Sequence, residues 1–245
     1  MLVLVTFLHM WYTIFRGIRM EENMYILTSQ QKNIWNMEIA NSNVQNSIFG
    51  IFSIEEILDL QVLEETVNVL IYINEATRTK ILLDNNEPKQ YISEYKREKV
   101  SQYIAEDKQQ FNRIIETLKA KKFDIIDGKL YDINIVQYKD TTNVCVHFHH
   151  IISDAWSMGQ ISEQIKEIYD KLINNEIIDE KISYVEYIKR EQEYLLSEKY
   201  NKDKEYWTEY IKQVSASNNY NFNSFNGKRI TKSLPDSLLK SVSKY

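Results

Sequence analysis

Two alternating segments, LYDINIVQY (130–138) and NVCVHFHHI (143–151), are separated only by KDTT. Successive strand residues point to opposite faces, so alternation on both sides of a short polar turn predicts an antiparallel hairpin. A helix follows directly. Ser157 and Gln160 have the spacing of a capping box, and Ile161, Ile165, Ile168, Tyr169 and Leu172 share one face. This hairpin-then-helix pattern makes the chain mixed α/β.

The flanks add elements of both kinds. LTSQQKNIW (27–35) opens a helix, with Thr28 and Gln31 at capping-box spacing. Residues 54–73 place Ile54, Ile57, Leu58, Val62, Val67, Leu70 and Ile71 at helical spacing, and INEATRTKILL then shifts to a strand. Residues 98–120 read as a charged amphipathic helix, and 183–213 as one or two aromatic-rich helices. A polar loop (215–228), a strand (RITKSL) and a helix start (PDSLLKSVSKY) close the chain.

A length of 245 residues suits one or two domains, and the scarcity of Gly (5) and Pro (2) excludes long flexible linkers. The net charge of -5 is scattered and leaves no basic stripe to neutralise phosphates, which sets nucleic acid aside. Cys145 is the only cysteine, so neither an internal disulfide nor a thiolate zinc cluster can form, and a reducing cytoplasm is the simplest compartment. The apolar opening MLVLVTFLHMWYTIF lacks a preceding positive charge and a cleavage site, and is shorter than a membrane span. Residues 1–19 read as an extension ahead of a natural start at Met20, with an interfacial membrane anchor as the weaker alternative.

Three of the four histidines lie in HFHHIISDAWS (147–157). Alternation puts Val144, Val146 and Phe148 on one face of the strand, and Cys145, His147 and His149 on the other. His150 falls at the strand end, and Asp154 four residues later precedes the helix. A strand-to-loop junction suits proton transfer, because the imidazole is open to substrate yet held by rigid elements. His147 and His149 also form an H-x-H pair of a kind that metal sites use. A third ligand would have to come from Asp154, Cys145 or a distant carboxylate, so no metal is assigned. A purely structural role for the histidines remains the plain alternative.

HHIISDAWS resembles the HHxxxDG signature of the condensation domains of nonribosomal peptide synthetases, which is shared with the superfamily of chloramphenicol acetyltransferase. The flanks match in order. LTSQQKNIW resembles the family's opening motif through Gln31 and Trp35, and LIYINEATRTKI its second motif through Arg78 and Thr79. FDIIDGKL resembles the family's approach to the hairpin, and YVEYIKREQEYL with EYWTEYI the stretch after the signature helix. The continuation DAWSMGQI favours condensation over epimerisation. The resemblance implies a chloramphenicol acetyltransferase-like sandwich, one lobe of a two-lobe condensation domain. His150 would act on the amine nucleophile, as general base or by positioning. His149 would be structural. Asp154 would pair with an arginine and hold the loop, and Ala155, Trp156 and Ser157 would lie near the channel for a phosphopantetheine arm.

Three positions depart from the family pattern: Ala155 replaces the signature glycine, Ile73-Asn74 an Arg-His pair, and Lys129 a proline. An alanine at 155 would narrow the carrier arm's approach or strain the backbone. Residues 20–228 match the N-terminal lobe and 229–245 the opening of the C-terminal lobe. The resemblance therefore implies half of an active site, with His150 and an apolar lobe surface facing water. The complete domain would join carrier-bound acyl or peptidyl and aminoacyl thioesters into an amide. Its partners would be peptidyl or acyl carrier proteins and a complementary C-terminal lobe, with no cofactor bound directly beyond the carriers' phosphopantetheine arms. Two other readings compete. One is a non-catalytic remnant or carrier-binding lobe. The other is a free-standing trimeric acyltransferase, disfavoured because that family's histidine comes late in the chain.

Overall fold

The structure, a computed structural model, describes residues 24–40, 46–178 and 183–213. Residues through Leu196 form one compact unit, and those from Ser197 belong to a second. The first is organised by a four-stranded sheet in the order β2-β7-β6-β5, comprising β2 (Ser47–Ile54), β5 (Ser101–Ala105), β6 (Tyr131–Tyr138) and β7 (Thr141–His149). β7 is antiparallel to both β2 and β6, whereas β5 runs parallel to β6.

The hairpin forms as its alternation requires. Tyr131, Ile133, Ile135, Val144, Val146 and Phe148 are buried on one face. Against them pack Leu63, Val67, Leu70 and Ile71 of α2 (Leu60–Ile73) and Ile161, Ile165 and Ile168 of α4 (Ala155–Ile173). Val136 and Cys145 face the other way, beneath Phe111, Ile114, Ile115 and Leu118 of α3 (Lys108–Lys119). The sheet is thus covered on both faces, which explains why β6 and β7 are buried almost throughout.

A smaller sheet, β1-β4-β3, comprises β1 (Tyr25–Ile26), β3 (Thr79–Asp84) and β4 (Glu87–Ile92). It meets α1 (Ser29–Ala40) around a second core of Leu27, Trp35, Ile81, Ile125, Leu130 and Ile151. The Thr28–Gln31 capping box forms: Gln31 N–H donates to Thr28 Oγ1 at 3.3 Å, and Thr28 N–H to Gln31 Oε1 at 2.9 Å. α5 (Tyr184–Leu195) closes the first unit, its N-terminal amides donating to the Glu75 carboxylate. In the second unit, α6 (Glu198–Gln213) carries Tyr206, Trp207 and Tyr210 in mutual ring contact.

Several expectations are corrected. The helix expected over 98–120 divides into β5 and α3, because Asp107 caps a new helix by accepting from Gln110 N–H at 2.7 Å. The helix expected from residue 54 starts at Leu60, capped by Asp59, while Ile54 ends a strand absent from the sequence reading. The cap of α4 is Asp154, and Ser157 is its third helical residue. Residues 183–213 form two helices. The apolar opening, the loop at 215–228 and the elements after it, with the lobe boundary at 228/229, lie outside the described residues.

Candidate active site

Strand β7 ends between two neighbours that fix its last residues. His149 N–H donates to Leu130 O, and His150 N–H to Asn46 O, both at 2.8 Å. A tight turn follows, with Ile152 N–H on His149 O at 3.1 Å and Ser153 N–H on His150 O at 3.4 Å. Asp154 then opens α4, its Oδ1 accepting from Ser157 N–H at 2.8 Å and from Ser157 Oγ–H at 2.7 Å. These bonds hold the Asp154 carboxyl below the usual carboxylate range. Within eight residues the chain passes from a buried strand to a capped helix, and His150 sits at the corner, half-buried.

The two adjacent histidines carry their protons on opposite nitrogens. His150 Nδ1 lies 3.2 Å from Ser153 O, a carbonyl that can only accept, so the neutral ring is protonated at Nδ1 and Nε2 keeps the lone pair. His149 Nδ1 accepts from Ile151 N–H at 3.1 Å, and its Nε2 donates to Glu38 Oε2 at 3.0 Å. Burial pushes the His149 imidazole below its ordinary value and outweighs the opposing pull of Glu38. His147 is likewise lowered by burial, bonds Ser47 Oγ at 2.9 Å, and is flanked by the rings of Phe49 and Phe123. Burial also pushes the Cys145 thiol up to about 12, which keeps it protonated and a poor nucleophile.

The other motif residues serve the frame. Gln31 and Gln90 exchange amide hydrogen bonds between α1 and β4. Trp35 fills the second core. Arg78 donates to the carbonyls of Ile71, Tyr72 and Ser93, so its charge sits at the C-terminal end of α2, where the helix dipole favours a cation. Asn74, where the resemblance places a histidine, donates to Leu70 O and Gln164 Oε1, both at 2.9 Å. Lys129, in the proline position, pairs with Glu98 and covers the Tyr131 ring.

One implied strain is corrected, and one implied pairing has no partner among the described residues. Asp154 forms no ion pair with an arginine among the described residues, and its Oδ1 caps α4. Ala155 carries no strain, because it is the first residue of α4 and its φ is not in the left-handed region. Ala155 and Trp156 are exposed, Trp156 at 78%. Glu38, Asn46 and Ser153 surround the histidines but escaped sequence reasoning, because their contacts join distant segments or run through backbone atoms. A cavity of about 720 Å³ lies elsewhere, between β5, β6 and the end of α3, lined by Tyr103, Glu116, Lys121 and Asp132 among others.

The Condensation domain family matches residues 21–245. The chain belongs to the condensation-domain family. Surfactin synthase subunit 1 of Bacillus subtilis is 28% identical over 240 residues, 91% of this chain and 7% of that protein. Bacitracin synthase 3 of Bacillus licheniformis is 26% identical over 78% of this chain and 3% of its own length. Among solved condensation domains, a mutant of the starter domain of rhizomide synthetase in complex with C8-CoA superposes with a TM-score of 0.74 at 14% identity. It covers 81% of this chain and 48% of that one. The first condensation domain of the CDA synthetase gives 0.65 at 17%, over 78% and 51%. The chain therefore has the condensation-domain fold and spans about half of those domains, and less than a tenth of the synthases.

Proposed function

We propose that this chain supplies the histidine wall of a condensation active site, with His150 as the reacting group. The observation that supports the reading is the 3.2 Å contact of His150 Nδ1 with the Ser153 carbonyl, which assigns the ring proton to Nδ1 and leaves Nε2 as a lone-pair acceptor at the half-buried corner between β7 and α4. The aminoacyl amine attacks the carbonyl carbon of an acyl thioester, and Nε2 accepts the proton released as the C–N bond forms. The C–S bond then breaks and the thiolate takes that proton, giving an amide and a free thiol. His149 and Asp154 hold the corner. Ala155, Trp156 and Ser157, on the first turn of α4, border the path of a phosphopantetheine arm.

On this reading the substrates ride on carrier proteins in the cytoplasm, and a complementary C-terminal lobe supplies the opposite wall. No helix among the described residues is long and apolar enough to cross a membrane. The test mixes the full chain with a separately produced C-terminal lobe and loaded carrier proteins, and follows the amide by mass spectrometry. Product that vanishes with His150→Ala supports the reading, and undiminished product from that variant overturns it.

A further inference from the structure

The last turn of α1 carries Glu38, three residues beyond the motif residue Trp35. One of its oxygens, Oε2, accepts two hydrogen bonds at 3.0 Å, from His149 Nε2 and from Asn46 Nδ2. Asn46 in turn offers its carbonyl oxygen to the His150 N–H at 2.8 Å. His149, through Nδ1, accepts the N–H of Ile151 at 3.1 Å. The peptide groups on both sides of His150 are thus tied to side chains or segments that converge on a single carboxylate.

We infer that Glu38 is a positioning residue for His150, acting through His149 on one side and Asn46 on the other. A carboxylate only accepts, so it selects the Nε2–H form of His149 and leaves Nδ1 as the acceptor that Ile151 N–H requires. Without that selection the His149 ring can protonate Nδ1, and the Ile151 amide loses its acceptor in a buried site. The same oxygen orients the Asn46 side chain, and with it the carbonyl that receives His150 N–H. A backbone held at both peptides projects the His150 ring in one direction, toward Ser153 O at 3.2 Å, and so fixes its tautomer. His149 is 2% exposed and Glu38 19%, so water competes weakly for this junction.

The role depends on His150 being the reacting group, but its test does not need turnover. In full-length chain labelled with ¹⁵N-histidine, two-bond proton–nitrogen spectra report which ring nitrogen is protonated. The native chain shows opposite patterns for His149 and His150. Glu38→Gln keeps an acceptor oxygen in place and preserves both patterns. Glu38→Leu makes His149 exchange between tautomers, and the separation of the two His150 nitrogen shifts collapses. Asn46→Ala cuts one tie while leaving the His149–Glu38 pair, so it narrows the His150 separation without altering His149, and it decides the matter if Glu38→Leu does not fold. Unchanged His150 shifts in every folded variant overturn the inference. In the complemented assay, Glu38→Leu lowers kcat by about tenfold or more with KM little changed, and Glu38→Gln restores most of it. Should His150→Ala leave product undiminished, the functional reading falls while the tautomer result still stands or fails separately.

Discussion

Gln31 and Gln90 face each other in a buried gap and donate to one another, Nε2 to Oε1 at 2.8 Å and back at 2.7 Å. Each amide has a further partner: Gln31 Oε1 accepts Thr28 N–H, and Gln90 Nε2 donates to Ile26 O. A residue the sequence marks as motif is therefore a fastener between α1 and the small sheet. Gln31→Leu removes the donor to Gln90 Oε1 and the acceptor of Thr28 N–H, and should cost about 1–3 kcal/mol. Gln31→Leu with Gln90→Leu should cost less than the sum of the single changes, since the two amides no longer orphan each other. Thr28 N–H and Ile26 O lose their partners as in the singles. Urea unfolding of the singles and the double reads this, and strict additivity contradicts it.

Asp154 holds α4 to the histidine corner by its cap, and forms no ion pair among the described residues. Asp154→Ala should lower stability by about 0.5–2 kcal/mol, and Asp154→Asn by much less. The folded carboxyl titrates below its ordinary value near 3.8. Its contribution is therefore fully present above about pH 4 and is lost as pH falls through the folded value. Comparing urea midpoints of native chain and Asp154→Asn at pH 7 and pH 3 should show a gap between the two that shrinks in acid.

The elements legible in the sequence are those set by neighbours in the chain. The β6–β7 alternation and the Thr28–Gln31 box are local patterns, and both form as expected. Ser157 was one end of a real capping box, but Asp154 is the other, and either residue type can serve as cap. β5 was hidden because four of its five residues are exposed and its partner β6 lies thirty residues on, so charge spacing alone favoured a helix. Glu38 was invisible for the same reason: 111 residues separate it from His149. Local patterns place the His149–His150 corner between β7 and α4, whereas its hydrogen-bond partners Glu38 and Asn46 come from distant segments.

His147 and His149 predict a second acid window. Burial sets both rings below their ordinary value of 6.5, against weaker opposing influences from the Leu118 backbone and Asp132 on His147 and from Glu38 on His149, with Lys121 acting in the same sense as burial on His147. The unfolded chain binds these protons first. Their contribution is thus complete above about pH 6.5 and declines as pH falls toward the folded values, before Asp154 titrates. Stability measured by urea should drop between pH 7.5 and pH 5. His147→Gln, whose amide can keep the Ser47 bond, should flatten that drop; an identical slope would rule out a His147 contribution.

The signature position offers the sharpest test of what Ala155 does. As the first residue of α4, with φ outside the left-handed region, it has no backbone need for glycine. Ala155→Gly should therefore lose a few tenths up to about 1 kcal/mol through the entropy of the unfolded chain. A gain in stability would mean that alanine is strained there. The exposed methyl stands beside Trp156, so any influence on a carrier arm is steric and external. In the complemented assay the glycine variant should then change KM for the carrier while leaving the His150 tautomer as it is.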